Sequence, residues 1–575
     1  MWLLWLALAP AAAGAGLPAA WIPARWDGGP LELARRAGDK ALANPDVREA
    51  ISRWYDPATL SLLDGTPINC LLLTLSAGAG REIEQRQQQL VTEYARRARE
   101  RGLAVLGLVY PGADAAAAAV GAREAQLDGL VLEGEFPGGL AFVERLEKAL
   151  AAVNSAAVVI PVVPSPLARR AARQVLAVEG VPPGVGKAGD GATAGATGGM
   201  WIDSNLWLAR SFQADPDRRP VWISHRSRDG APGIYARSIA DAAAAGARWI
   251  LTLDDDLRAR LLRRESEALA VWRGIADSLA FFESHAEWRR FAPFGNVAII
   301  LDASGPNPAN SEEYLNLVAR RQIPYRVIYR SQLSAASLAG LRAALAFDLA
   351  PATEGERKTL RAFAAGGGLV LSGPSWGGAP KEQSYTMVAE GEGEIAVYKD
   401  DSPDPQSVAR DLNDLVTTPE LGVSVFKAPS VLPYVSVAGG GARLLIQLVN
   451  YATEPAKSIA IWVTGSFASA RLYAPGSAAL DLPVKPSGGR TEITVPALAA
   501  YGAVLCSAQR AAPAAGPVPR SSAASAGSAN LPSTRAGKRG IRGTLRAVPR
   551  SAAVLASQPP LWKRDAGLHY TPCSE

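Results

Sequence analysis

The sequence is poor in the residues that carry metal, redox and thiol chemistry. Its 575 residues include only three Cys and three His. Cys70, Cys506 and Cys573 are far apart and odd in number, which excludes a disulfide framework and offers no zinc-ligand spacing. No metal and no cofactor are therefore expected. A metal-dependent hydrolase using His225 with Asp254 or Asp255 is the weakest enzymatic reading, because such sites recruit several imidazoles. Long apolar runs are also missing. No stretch approaches the roughly 20 uninterrupted apolar residues of a spanning helix, so no stable membrane span is expected. Net charge is small once it is located. Ten Lys or Arg against two acids fall from Ser507 onward, leaving 50 basic and 52 acidic residues in the rest. The folded part is near neutral, and the basic tail has no aromatic interleaving. Specific nucleic-acid binding is therefore not expected.

What is present begins with an export signal. MWLLWLALAPAAAGAG has a short apolar core and a small-x-small sequence at residues 13–15, which reads as a signal peptide over residues 1–15 cut after Ala15. A secreted or periplasmic protein is the expectation. Residues 508–575, rich in Ala, Ser, Pro and Gly without apolar periodicity, read as a disordered basic tail.

The 48% hydrophobic residues of the full sequence are ample for real cores. The most informative stretch is LDGLVLEGEFP, an apolar run that stops at Glu133 and Glu135. Acids two apart on a strand share one face, and in a βα barrel the chemistry sits where parallel strands end. Eight such runs occur: residues 19–23, 68–75, 103–110, 130–133, 157–163, 200–203, 220–224 and 249–253. Helical stretches separate most of them. REIEQRQQQLVTEYARRARERG is one, with Gly102 as its C-terminal stop. The alternation predicts a (β/α)8 TIM barrel over residues 17–290. A second α/β unit over 295–420 opens with NVAIILDAS and ends with GLVLSGPSW; it reads as flavodoxin-like. Short strands with Gly and Pro turns then predict a small β-sandwich over 422–507.

This order, with NVAIILDAS through GLVLSGPSW followed by LLIQLVNYA, resembles the layout of the family 42 β-galactosidases and their trimerisation-domain relatives, most clearly over residues 295–507. The resemblance implies a glycoside hydrolase-like barrel, a carbohydrate substrate, and a middle unit that is structural or serves homo-oligomer formation. That middle unit also resembles class I glutamine amidotransferase domains, but no Cys lies between Cys70 and Cys506 and no His between His285 and His569. Nucleophile and base are both missing, so the unit is expected to be catalytically silent.

Glycosidic hydrolysis needs two carboxyl groups, one protonated and one ionised. In the family 42 enzymes the acid/base is the Glu of an Asn-Glu pair after strand 4 and the nucleophile is a Glu after strand 7. Here Leu132 precedes Glu133, and the seventh run ends in Ser224, His225 and Arg226. The α-galactosidase group instead places its carboxylates after strands 4 and 6, which points to Glu133 with Asp203. Glu135, Asp254 and Asp255 are alternative catalytic acids. Arg25, Trp26, Asp27, Tyr110, Asn205, His225 and Arg226 are the candidate substrate-binding residues, a mixture of rings and polar groups that fits a carbohydrate groove. The bland roles are equally concrete: Asp203 and Asp254 each precede a helix that an Asp can cap. The non-catalytic alternative is a carbohydrate-binding or assembly protein on a degenerate hydrolase barrel.

Overall fold

The computed structural model describes residues 18–508 except 166–167, 169–174, 189–190, 193–199, 216–218, 226–232, 303–304, 306–307 and 377–383. The expected signal peptide, Arg226 and the expected basic tail lie outside the described residues.

Eight parallel strands form the first sheet. They are β1 Pro23–Arg25, β2 Cys70–Ser76, β3 Ala104–Val109, β4 Gly129–Leu132, β5 Val158–Val163, β6 Leu176–Glu179, β7 Val221–Ser224 and β8 Arg248–Trp249. The sheet closes on itself just beyond β8. The Arg25 N–H donates to the Leu251 carbonyl at 2.7 Å, and the Leu251 N–H donates to the Pro23 carbonyl at 3.1 Å. Closure leaves no free sheet edge and buries the strands on both faces, which is why they read as unbroken apolar runs. One face fills the lumen with Leu72, Leu106, Val131, Val162, Ala177 and Trp222. The other packs on the surrounding helices. The helix Arg81–Glu100 leads from β2 to β3. It stops where expected: Gly102 has φ 77° and the Leu103 N–H reaches back to the Ala98 carbonyl.

The sixth strand is not where the sequence reading placed it. Residues 200–203 contribute Ile202–Asp203, which pairs antiparallel with Gly184–Val185 in a separate two-stranded ladder. The barrel strand is the earlier Leu176–Glu179, which pairs parallel with both β5 and β7. Both segments are short and apolar, so local pattern does not separate them. Parallel pairing on two sides does.

The second sheet runs β10-β9-β11-β12-β14-β13, with β9 Val297–Leu301, β10 Tyr325–Tyr329, β11 Ala343–Leu345, β12 Leu369–Ser372, β13 Tyr385–Glu390 and β14 Gly393–Tyr398. All neighbours are parallel except the β13/β14 hairpin, which the sequence reading did not place. The order reverses between β9 and β11, as in doubly wound sheets. The C-terminal strands are β15 Val423–Phe426, β16 Val431–Ala438, β17 Arg443–Asn450, β18 Ala456–Thr464, β19 Phe467–Tyr473, β20 Leu480–Leu482, β21 Val484–Ser487, β22 Arg490–Leu498 and β23 Tyr501–Ala508. One antiparallel sheet orders them β16-β17-β23-β19-β20, with Ala292–Pro293 on the β16 edge, and the other β15-β18-β22-β21. Ile446, Ile461 and Val504 lie in the core that the two sheets enclose.

The parts share cores. The barrel's hydrophobic cluster runs on into Leu432, Tyr434, Leu445, Val449 and Tyr501 of the third region. The helix Leu206–Gln213 touches all three. Its Arg210 lies 4.2 Å over the Tyr325 ring and 5.0 Å from the Tyr434 ring, and donates to the Pro433 carbonyl at 3.1 Å. Beside it, the buried Asp241 carboxylate accepts from Ser204 Oγ at 2.9 Å, Tyr451 Oη at 2.5 Å, and the backbone and side-chain N–H groups of Asn205 at 2.8 Å each. Replacing Asp241→Ala strands these buried donors and is expected to cost about 3 kcal/mol or more. Burial raises the Asp241 pKa, against the pull of these donors. A raised aspartate pKa gives stability that is present at acid pH and lost as pH rises through it. The mutant's deficit in melting temperature is therefore expected to be larger at pH 5 than at pH 7, as read by differential scanning fluorimetry.

Candidate active site

The C-terminal ends of the barrel strands open into a cleft of about 2190 Å³. Strand parity decides which side chains reach it. Leu72, Val131, Ala177 and Trp222 face the lumen, so Arg25, which pairs with Leu72, and Glu133, Glu179 and Ser224, each two residues further on, face it too. They form its uppermost layer, with Tyr110 at the end of β3.

Arg25 and Glu133 dominate this layer. The Arg25 guanidinium donates through Nη1 to Glu133 Oε2 and through Nη2 to Oε1, the latter at 2.5 Å. Both residues are buried, at 6% and 1% exposure. Burial works against the Arg25 cation, but the adjacent Glu133 carboxylate more than offsets it, and the Arg25 pKa is raised. A forked, desolvated pair of this kind fixes both side chains in one geometry. Gly134 follows with φ 114°, and a Cβ there would meet Pro111 at 2.7 Å, so only glycine ends β4 in this way. Ser224 Oγ lies 3.5 Å from both Glu133 Oε1 and Arg25 Nη2. On the neighbouring strand Glu179 is the register partner of Ser224. Residues paired across parallel strands present their side chains on the same face, so Glu179 joins Glu133 at the mouth.

The structure brings together some of the sequence candidates and separates others. Arg25, Tyr110, Glu133, Glu135, His225, Asp254 and Asp255 all line the cleft. Asp254 also performs its bland role, capping the helix Asp255–Leu262 through the Leu257 N–H at 2.8 Å, and it accepts from Tyr235 Oη. Asp255 is paired with Arg36. His225 Nδ1 lies 3.0 Å from the Gly180 carbonyl. Among the described residues, no group of three or more His, Cys, Asp or Glu is placed to hold a metal ion.

Four candidates sit elsewhere. Asp203 is in the outer ladder, 3.8 Å from Arg320, and accepts from Trp201 Nε1 at 3.0 Å. It does not cap the helix after it either, since Ser204 Oγ accepts the Leu206 N–H. Asn205 is locked into the Asp241 network. Asp27 is buried against Arg258 at 3.1 Å. Trp26 is fully buried, 4.9 Å from the Trp54 ring and 6.1 Å from Trp272. Trp26→Ala is thus expected to cost about 3–5 kcal/mol, read as a fall in melting temperature and not as a loss of ligand affinity in the folded fraction.

Glu179 and Ser224 are among the cleft residues that sequence reasoning missed as site residues. A signal for Glu179 exists: LAVEG at 176–180 repeats the form of LVLEG at 130–134, an apolar strand ending in Glu-Gly. Both copies prove to be barrel strands whose final Glu faces the lumen.

A closed parallel barrel with helices outside and carboxylates at its C-terminal mouth, followed by an α/β sheet and antiparallel sheets, makes the protein a (β/α)8 TIM barrel with two further regions. A solved structure agrees on the fold. The α-L-fucosidase isoenzyme 2 from Paenibacillus thiaminolyticus matches with a TM-score of 0.50 at 12% identity, covering 78% of this chain and 96% of that one. A GH42 β-galactosidase from G. stearothermophilus matches with a TM-score of 0.47 at 10% identity, covering 85% and 98%. The exo-β-1,4-mannosidase Op5Man5 from Opitutaceae bacterium strain TAV5 matches at 0.40 and 13%, covering 68% and 94%. At 12% identity the likeness to the fucosidase is one of fold. No family model and no curated protein matches the sequence. No helix among the described residues is long and apolar enough to cross a membrane.

Proposed function

We propose that the protein is an exported glycoside hydrolase that cleaves a carbohydrate at the barrel mouth, with Glu133 and Glu179 as its two carboxyl groups. The observation that carries the reading is the shared lumen face of these two strand-terminal glutamates, with Ser224 beside Glu133 and in register with Glu179, in an open cleft large enough for several sugar rings. Their roles follow from their surroundings. Protonating Glu133 would strand the buried Arg25 cation, so Glu133 acts as the ionised partner, nucleophile or base. Glu179, at the exposed end of β6, is left to supply the proton to the leaving oxygen. Arg25 holds Glu133 in place, and His225 and Tyr110 bind the sugar.

A second reading is favoured by one feature of the same pair. Both Glu133 oxygens are taken up by Arg25, as in a structural ion pair, and the barrel would then bind a glycan without cutting it. A screen of the purified protein against aryl glycosides and plant or bacterial polysaccharides separates the readings. Polysaccharide turnover that disappears in Glu179→Gln is the expected result. Glycan binding with no turnover selects the second reading, and neither binding nor turnover removes both.

A further inference from the structure

The cleft is charged more than aromatic. Its described lining contains no Trp, and its rings are Tyr110, Tyr235 and His225. The face of Tyr110 is itself covered by the Arg35 guanidinium at 4.2 Å. Little flat apolar surface is left for sugar stacking, so selectivity falls to charge and hydrogen bonds.

The arginines that line it are each neutralised within the protein. Arg25 pairs with Glu133, Arg35 with Glu32, Arg36 with Asp39 and Asp255, and Arg260 with Glu265 and Glu267. Among the described lining residues the acids are in excess, seven Asp or Glu against five Arg or Lys. Glu135 and Asp254 have no cationic partner among the described residues, and Lys40 is the one cation without an acidic partner there. Glu135 follows β4 and Asp254 follows β8, so the two uncompensated charges face each other across an eight-stranded mouth. A glycan of uronates or sulfates would meet repulsion on both sides.

A second observation points to a ligand. The Tyr110 hydroxyl is buried in the cleft lining, with the residue 5% exposed, and has no hydrogen-bond partner among the described residues. A buried hydroxyl left unbonded costs about 1–3 kcal/mol, which a bound polar group would recover. Burial raises its pKa, so it stays neutral and can both donate and accept.

We propose that the cleft selects a glycan bearing free amino groups, a hexosamine oligomer, with its ammonium groups held between Glu135 and Asp254 and a sugar polar group bonded to the Tyr110 hydroxyl. The proposal rests on the reading of the cleft as a glycan site, but not on catalysis. An ammonium donates three hydrogen bonds to carboxylate and phenol oxygens, whereas its N-acetyl derivative has lost the charge.

The test is calorimetric titration of the full chain with a glucosamine tetrasaccharide, its N-acetylated counterpart, a neutral glucose tetrasaccharide and a galacturonate tetrasaccharide, at pH 6 and low salt. The amine form is expected to bind at least about tenfold more tightly than the other three, with the preference erased by about 0.5 M salt. Glu135→Gln, at an exposed position, is expected to reduce that preference several-fold without changing the melting temperature. Tyr110→Phe is expected to weaken the amine and N-acetyl ligands alike. Equal or tighter binding of the N-acetylated or galacturonate ligand overturns the proposal, as does a preference untouched by Glu135→Gln. Amine binding without turnover leaves the proposal standing and removes the hydrolase reading. Turnover of neutral glycans without amine preference does the reverse.

Discussion

Glu133→Gln is expected to lower stability by about 3–5 kcal/mol, one of the largest single-residue costs outside the hydrophobic core. The amide keeps the size of the side chain but removes its charge, and Arg25 is then left as a buried cation facing a group that cannot neutralise it. From sequence alone the same substitution looks conservative, one that would leave the fold intact and remove only ionisation. The ion pair changes that expectation, because the two side chains are 6% and 1% exposed and no solvent can replace the lost partner. The double variant Arg25→Met with Glu133→Leu is expected to regain most of the loss, since an apolar pair of similar volume needs no compensation. Urea unfolding of the wild type, the two single variants and the double variant measures the coupling. A Glu133→Gln protein as stable as wild type would mean that the pair is open to water.

Glu179→Gln is expected to have the largest effect on chemistry and a small effect on stability. If Glu179 delivers the proton to the leaving oxygen, the amide cannot replace it, and turnover falls by about three powers of ten or more on substrates with poor leaving groups. Aryl glycosides whose leaving group departs without a proton are expected to be spared in the bond-breaking step, so the ratio of the two substrates reads the role of Glu179 directly. The residue is exposed at the end of β6, and its melting temperature is expected to stay within about 1–2 °C of wild type. Equal losses on both substrate types would move the acid role elsewhere, with Asp254 the next carboxyl group on the cleft wall.

Much of the architecture was legible because burial on both faces of a parallel sheet imposes continuous apolar runs. The strands after Asn69, Leu103 and Pro220 are all readable in this way, as are the Gly102 helix stop and the short alternating strands of the C-terminal region. Glu133 was legible as a strand-terminal acid for the same reason. What failed were choices between segments of equal local quality. Residues 200–203 and Leu176–Glu179 are both short and apolar; which one entered the barrel depended on pairing with β5 and β7, contacts far apart in sequence. That single choice moved the strand-6 carboxylate from Asp203 to Glu179.

The sequence by itself determined the class of fold, the low stock of metal and thiol ligands, and the presence of acids where strands end, since composition and period act locally. Only the tertiary structure decided which polar residues meet. Trp26 and Asp27 follow Arg25 closely, yet parity turns Trp26 to the opposite face, and the chain leaves β1 after Arg25, so that Asp27 is buried against Arg258. Arg25 and Glu133 lie 108 residues apart and become one buried pair because ring closure sets β1 and β4 around a single mouth. Convergence of this kind is a property of the closed barrel, and no local pattern carries it.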